Sequence, residues 1–321
     1  MSRRRRVALA TATALITAAY VLYFDFSTNQ LGPGGSDFDQ LWFAARVLWR
    51  GINPYDVIGP GRQFNWAWPL LYPLPAVVAV LPIAWLPLLA ARASFAALSV
   101  GFLAFALSRR GAGVLAILGS AAVIDAARAG QLSLLLTAAV MLSWLAFVFP
   151  LKPPLGIALL AASPSRRSLV VALVGGTVLA IAAFVAQPAW MVSWLAALRT
   201  TSHMRAPALE LGGPLLLLAL LRWRRLDARV LLACALVPHT PSLYDVVPIG
   251  LVARDFRESL AYALLTHVAL FSQHFLVPGL APAAAATMAA RILNITVYLP
   301  ALLAVLTRPN SADPEPGSSP S

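Results

Sequence analysis

Ten apolar runs divide this chain, and clusters of arginine separate most of them. A helix of about 20 apolar residues spans the hydrocarbon core of a bilayer, which is about 30 Å thick. Only 11% of the residues are charged, whereas a soluble domain carries about 25%. The pattern therefore predicts an all-α integral membrane protein, a polytopic helical bundle with about ten crossings. The apolar runs lie near residues 7–24, 74–107, 112–128, 132–149, 153–164, 168–186, 208–221, 229–253, 259–276 and 284–306.

The charge pattern and the cysteine content exclude several other classes of protein. The formal net charge is +12, but the arginines lie in small groups between apolar runs rather than on one face, so we expect no nucleic-acid partner. The single cysteine, Cys234, excludes an internal disulfide and a CxxC metal site. The four histidines form no HxxxH pair, which argues against a zinc protease.

The distribution of basic residues predicts the membrane topology. Arg3 to Arg6 precede the first apolar run and no small-residue cleavage site follows it, which indicates an uncleaved signal anchor with a cytoplasmic N-terminus. From this start, sixteen of the 24 basic residues fall on the cytoplasmic side and six on the outer side, as the positive-inside rule predicts. The sixteen are Arg3, Arg4, Arg5, Arg6, Arg109, Arg110, Lys152, Arg166, Arg167, Arg222, Arg224, Arg225, Arg229, Arg254, Arg257 and Arg308.

We accordingly expect a multi-pass protein of the cell membrane with both termini in the cytoplasm and its functional site on the outer side. Residues 1–308 form a single transmembrane domain with two long outer loops, 25–73 and 187–207. Residues 309–321 form a polar cytoplasmic tail rich in proline and serine, and this composition predicts disorder.

Three of the apolar runs are interrupted or have the wrong length for one crossing. Prolines break the first half of run 74–107, which predicts a short re-entrant piece followed by one crossing. Run 153–164 is too short to cross and is predicted to dip into the membrane and return. Run 229–253 contains the polar break 238–245, and irregular backbone at that depth requires surrounding protein or a water-filled cavity.

The first outer loop opens with two acids and an amphipathic helix. Apolar residues recur at intervals of three and four from Phe38 to Trp49, and Gly51 ends the helix, which we expect to lie along the outer membrane interface. Asp37 and Asp39 stand at its start. One interpretation is that they cap the helix; the other is that a carboxylate above a membrane cavity acts as a general base. A divalent cation bound by both acids is a third interpretation, which we do not favour, and we expect no cofactor.

Further ionisable and polar residues fall near the outer ends of the apolar runs. Arg128 and Gln131 follow one apolar helix, and Asp125 pairs with Arg128 in the simplest structural interpretation. Ionisable groups at membrane depth often mark functional cavities. The candidate binding residues are Asp39, Arg128, Gln131, Arg205, His239, Tyr244 and Asp245.

Several short motifs resemble, in order, those of glycosyltransferase family 87 of the GT-C superfamily. The matching elements extend over residues 30–255, and the sequence departs from the family pattern at Leu41 and Ser133. The elements are Asp37-Phe38, Ala44-Ala45-Arg46, Gly51 with Asn53-Pro54-Tyr55-Asp56, Tyr72-Pro73-Leu74-Pro75, Gly130-Gln131, Lys152-Pro153 and Tyr244-Asp245.

The resemblance implies a GT-C-type membrane glycosyltransferase. Such an enzyme moves a hexose, here expected to be mannose, from a polyprenyl-phosphate sugar to a cell-envelope glycan or glycolipid on the non-cytoplasmic side. By the same resemblance Asp37 is the catalytic base of a single displacement. The expected partners are the donor, the acceptor and membrane lipids, and no Gly-rich nucleotide-binding loop occurs in the sequence.

Two alternative functions remain at the level of the sequence. A flippase or transporter of lipid-linked sugars also needs intramembrane charges and broken helices, although its two halves should be related in sequence and no such repeat is visible. The other alternative is an inactive membrane scaffold.

Overall fold

The computed structural model describes residues 1–201 and 205–311, which are mainly helical, so the all-α prediction is confirmed. The predicted tail lies largely outside the described residues. Two short strands, β1 (Ile58–Gly59) and β2 (Phe64–Asn65), pair within the loop of residues 25–73. The α-helices are α1 (Arg3–Ser27), α2 (Phe38–Trp49), α3 (Pro54–Val57), α4 (Leu74–Ala84), α5 (Leu88–Ser108), α6 (Ala121–Ala129), α7 (Ser133–Met141), α8 (Pro153–Ala162), α9 (Arg166–Ala186), α10 (Trp190–Leu198), α11 (Leu226–Leu236), α12 (Phe256–Leu276), α13 (Pro282–Leu293) and α14 (Leu299–Leu306).

Segments in 3-10 conformation continue the helical path between these α-helices. The longer ones are Gly113–Gly119, Ser143–Leu151, Gly213–Arg222 and Leu243–Val252. Four helices of the described chain are long and apolar enough to cross a membrane: α1, α5, α9 and the continuous segment Pro282–Leu306. The pair α6–α7, bent by 118°, makes a fifth if it is one span. These helices support a transmembrane protein. Helix α12 has 21 residues but is not among the candidate spans. The shorter apolar helices are Leu74–Ala84, Pro153–Ala162, Gly213–Arg222 and Leu243–Val252.

A network of ion pairs gathers several helix ends at one end of the bundle, which we call the basic end. Asp227 lies 2.6 Å from Arg225 and 3.6 Å from Arg254, and it also pairs with Arg308. Arg110 donates to the carbonyls of Leu251 and Ala253 at 2.9 and 2.8 Å. The ends of α5, α14 and segment Leu243–Val252 therefore meet the start of α11 here.

Two further helix ends contact arginines of the basic end. Arg109 donates to the carbonyl of Met141 at 3.0 Å, and Arg229 donates to that of Ala162 at 2.7 Å. Segment Ser143–Leu151 and helix α8 thus form a hairpin that leaves the basic end and returns to it. The predicted dip at 153–164 is therefore only the returning arm of this hairpin.

Lys152 is the tip of this hairpin, so it lies apart from the arginines of the basic end, with which it was predicted to share the cytoplasmic side. The Lys152 ammonium pairs with Asp245, whose side chain is 1% exposed. Helix α11 and the segment Leu243–Val252 form a second hairpin, since α11 starts and the segment ends at the basic end, and Asp245 lies near its tip. The positive-inside rule counts every basic residue between apolar runs as a loop residue, so a lysine at an internal hairpin tip is misassigned.

Helix α2 begins at Phe38, as the sequence predicts, but it is more deeply packed than an interfacial helix. Eight of its residues are buried, on more than one face. Trp49 is 82% exposed, whereas the Trp42 indole donates to the Leu86 carbonyl at 3.1 Å. The chain then turns at Gly51, whose φ is +75°. The amphipathic pattern correctly gave the extent of the helix and understated its burial.

We expect cysteine labelling to place the first outer loop and the C-terminal residues on opposite sides of the membrane, because the basic end should face the cytoplasm. Gln63→Cys should react with a membrane-impermeant maleimide in intact cells, and Ser311→Cys only after permeabilisation. The buried Cys234 should give little background. The reverse pattern of labelling would refute the topology.

Gly175 on α9 allows the hairpin to approach closely. A Cβ at this position would lie 2.4 Å from the Cβ of Phe147, a distance that forces the segment Ser143–Leu151 to move. We therefore expect Gly175→Ala to lower the free energy of unfolding by about 1–3 kcal/mol, measured by thermal unfolding in detergent. Gly119→Ala, which meets nothing within 4 Å, is the control and should change it little. Equal stability of the two variants would contradict this packing.

Candidate functional site

A buried arginine fixes the segment that leads to the first candidate acid. Arg92 on α5 is 2% exposed and lies 3.0 Å from Asp25 and 2.6 Å from Asp39. It also donates to the carbonyls of Gln30 and Gly32, at 2.6 and 2.8 Å. The end of α1, the start of α2 and the irregular chain between them are thereby held on one guanidinium. A buried charge requires such pairing.

Asp39 uses both of its oxygens in this clamp. Oδ1 accepts from Arg92 at 2.7 Å, and Oδ2 accepts from Arg92 at 2.6 Å and from the backbone N–H of Gly34 at 2.7 Å. The backbone N–H of Ser36 also donates to Oδ2, at 3.2 Å. The prediction that Asp39 binds substrate finds no support in this geometry, because its oxygens already hold the chain.

Asp37 is arranged differently, although it lies only two residues away. It occupies the N-cap position of α2, but its side chain makes no capping hydrogen bond. Instead Gln131 Nε2 donates to Asp37 Oδ2 at 2.6 Å, and Tyr72 donates to the other end of the Gln131 amide at 3.3 Å. Burial raises the pKa of the Asp37 carboxyl, and hydrogen bonds from Gln131 and Tyr244 partly oppose that rise.

A left-handed glycine makes the approach of Gln131 to Asp37 sterically feasible. Gly130 ends α6 with φ of +62°, and a Cβ there would lie 2.4 Å from the Cβ of Phe38. Only glycine satisfies both the backbone conformation and the close contact with α2. The Gly-Gln pair therefore has a direct geometric reason in this fold.

The second half of the site comes from the two hairpins. Lys152 pairs with Asp245 Oδ1 and lies 5.5 Å from the centre of the Tyr244 ring. His239 Nδ1 lies 3.8 Å from Asp245 Oδ2, and His239 Nε2 lies 3.1 Å from the hydroxyl of Tyr298. The charge of Lys152 and the side chain of Tyr244 both lower the pKa of Asp37, which indicates that the two halves lie close together. We call this cluster the polar site; its members are Asp37, Tyr72, Gln131, Lys152, His239, Tyr244 and Asp245.

The two remaining candidates, Arg128 and Arg205, flank the polar site. The Arg128 guanidinium pairs with Asp125 at 3.0 Å, as the local interpretation predicted, while its backbone carbonyl accepts from Ser36 at 3.2 Å. Arg205 is exposed and lines a cavity of about 10 Å³ beside His239 and Asn294. The structure thus brings together Asp37, Gln131, His239, Tyr244 and Asp245, and it turns Asp39 away.

Three residues that build or position the polar site were not among the predicted candidates: Arg92, Lys152 and Tyr72. Arg92 lies inside an apolar run, and a charge in such a place requires a buried partner, which was a usable signal. Lys152 is the single lysine among 24 basic residues, a second signal. Tyr72 belonged to a quoted motif, but nothing in the sequence connects its hydroxyl with Gln131, 59 residues later.

Neither a family model, nor a curated protein, nor a solved structure matches this chain. The functional argument therefore depends on the chemistry of the polar site.

Removal of the Arg92 charge should destabilise the protein strongly, because two buried carboxylates lose their partner. We expect Arg92→Met to lower the free energy of unfolding by about 3–5 kcal/mol, measured by thermal unfolding in detergent. The added substitution Asp39→Asn should restore part of this loss, since it removes one orphaned charge. The exposed Arg50→Gln is the matched control. A stable Arg92→Met variant would show that the clamp is dispensable.

Proposed function

We propose that the protein is a GT-C-type membrane glycosyltransferase, resembling family 87. It transfers a hexose, preferably mannose, from a polyprenyl-phosphate sugar to a cell-envelope glycan or glycolipid acceptor on the outer side. The observation that carries the proposal is the Asp37 carboxylate. It stands at a helix start without capping it, and a glutamine amide orients it inside a polar cluster.

Asp37 acts as the general base in a single displacement. The acceptor hydroxyl oxygen attacks the anomeric carbon, Asp37 takes the hydroxyl proton, and the bond from that carbon to the phosphate oxygen breaks. The electron pair of the broken bond leaves with the polyprenyl phosphate, which needs no general acid because it is already a good anionic leaving group. A single displacement inverts the anomeric carbon.

The depth of the polar site suits a donor with a lipid tail. The arms α7 and α11 have 9 and 11 residues, so they rise only about 14–17 Å from the basic end to the site. This is about half of the hydrocarbon thickness, so the phosphate and sugar of a donor in the outer leaflet must descend from the headgroup level into the bundle to reach the site. Arg128, Arg205 and His239 are the flanking cations for that phosphate.

Asp37→Asn should reduce turnover by about 10²- to 10⁴-fold, because the amide keeps the shape of the side chain but cannot accept the proton. The assay incubates purified protein with a panel of polyprenyl-phosphate sugars and an acceptor extract, and it measures released polyprenyl phosphate. Because burial raises the pKa of Asp37, wild-type turnover should fall on acidification at a higher pH than an ordinary aspartate would give. Asp37→Asn should lose this acid limb.

The matched control is Asp56→Asn, an exposed aspartate of the same loop, which should retain full turnover. Asp39→Asn should lower the folded fraction while the folded remainder keeps most of its turnover. Full turnover by folded Asp37→Asn would refute the base assignment. Movement of intact donor across vesicles, without release of polyprenyl phosphate from any donor, would favour a transporter instead.

A further inference from the structure

Lys152 is the one basic residue of the polar site that is free to form more hydrogen bonds. An ammonium has three N–H donors, and within the described chain Lys152 makes one hydrogen bond, to Asp245 Oδ1. Its side chain is 19% exposed, and the hairpin tip carries it toward Asp37 and Tyr244. By contrast, the guanidinium of Arg92 is fully used by two carboxylates and two carbonyls.

The chemistry of lysine fits a contact that changes partners. Its ammonium is a point charge on a flexible stem, whereas arginine forms a planar fork that is fixed by its partners. The chain contains 24 basic residues and places its only lysine at this tip. This position therefore suits a cation that can turn from one anion to another.

Asp245 has an unused oxygen beside a second cationic group. Its side chain is 1% exposed, and among the described residues no hydrogen-bond donor reaches Oδ2. His239 Nδ1 lies 3.8 Å from Oδ2. A buried carboxylate oxygen without a hydrogen-bond donor is costly. The Asp245 carboxylate therefore has a reason to interact with His239 as well as with Lys152.

We propose that Lys152 binds the anion of a phosphodiester, and that its arrival transfers Asp245 from Lys152 to His239, which takes up one proton. The inference rests on the proposed function for the identity of the ligand, since the phosphate of a polyprenyl-phosphate sugar is a diester with one fixed negative charge. It assigns to Lys152 a role that the positive-inside rule does not predict.

The reason for the proton uptake is charge balance in a poorly hydrated site. The charges of Lys152 and Asp245 cancel, so an added anion leaves one excess negative charge beside the carboxylate of Asp37. Excess charge away from water is expensive. A proton on His239 restores the balance. The other groups that face His239 are the Tyr298 hydroxyl, the Cys234 and Thr240 carbonyls and the exposed Arg205.

The hydrogen bonds of His239 provide a place for the added proton. The Thr240 carbonyl lies 2.9 Å from Nδ1 and can only accept, so Nδ1 carries the proton of the neutral ring. In that state Tyr298 donates to Nε2. The added proton occupies Nε2 and is donated to the Cys234 carbonyl at 3.3 Å, and the positive ring then faces Asp245 Oδ2.

The test measures binding of farnesyl methyl phosphate by calorimetry, with the full-length protein in detergent and in buffers of different ionisation enthalpy. This diester carries one charge that does not change near neutral pH. We expect uptake of about one proton, and an affinity that falls about tenfold per pH unit on the alkaline side. Farnesyl methyl ether tests the tail alone, and dimethyl phosphate tests the head group alone. Binding of dimethyl phosphate as tight as that of the lipid would show that the site takes a free phosphate ester.

The variants separate this role from a merely structural ion pair. Lys152→Gln should weaken diester binding by about 10- to 100-fold, and His239→Gln should abolish proton uptake. Asp245→Asn should bind the diester at least as tightly as the wild type without proton uptake, because Lys152 then has no competing anion. Arg50→Gln should behave as wild type.

Unchanged diester affinity in Lys152→Gln, or binding by the wild-type protein without proton uptake, would overturn the inference. The wild-type measurement decides the matter even if Asp245→Asn fails to fold. Proton-coupled diester binding without any sugar transfer would refute the proposed function and leave the inference standing. Transfer by a protein whose binding is independent of pH would do the opposite.

Discussion

The buried contact of Arg92 with Asp25 and Asp39 is the constraint on which the polar site depends. The chain between α1 and α2 has no regular structure of its own, so side-chain contacts must fix it. The two aspartates bracket this segment, one at the end of α1 and one in the first turn of α2. Because one guanidinium holds both, the start of α2 has a defined position against α5. Asp37, two residues before Asp39, is then placed opposite the turn that follows α6.

A second constraint is the shortness of the arms that lead to the site. Helices α7 and α8 begin, and α11 ends, well inside the bundle, and each helix terminus leaves backbone groups without intrahelical partners. In an apolar interior those groups need polar neighbours. The Cys234 and Thr240 carbonyls, for example, both face His239. The polar site therefore lies where the helices are broken. Its side chains form the candidate site and also provide polar neighbours for the backbone groups of the helix termini.

Much of this arrangement was predictable from the sequence, and the predictions that failed did so for a common reason. The helical class, the start of α2 at Phe38 and the polar break around His239 are local properties, readable from hydropathy, Gly and Pro. The clamp is not local, since Arg92 and Asp39 are 53 residues apart. Lys152 and Asp245 are 93 residues apart, and a charge rule that reads each loop separately cannot detect that they meet. Likewise, Arg92 on another helix determines that Asp39 rather than Asp37 is held in an ion pair.

The different fates of Asp37 and Asp39 illustrate how one short segment can provide both rigidity and reactivity. Successive positions along a helix turn by about 100°, so two residues apart the side chains point in nearly opposite directions. Asp39 faces α5, where the buried Arg92 neutralises its charge. Asp37 faces Gln131, a neutral amide that orients the carboxylate without cancelling its charge. A cationic partner at that position would have stabilised the ionised form and lowered its basicity. Burial instead raises the pKa of the Asp37 carboxyl, and the neutral amide opposes this rise only in part, which is the electrostatic condition that the proposed proton abstraction requires.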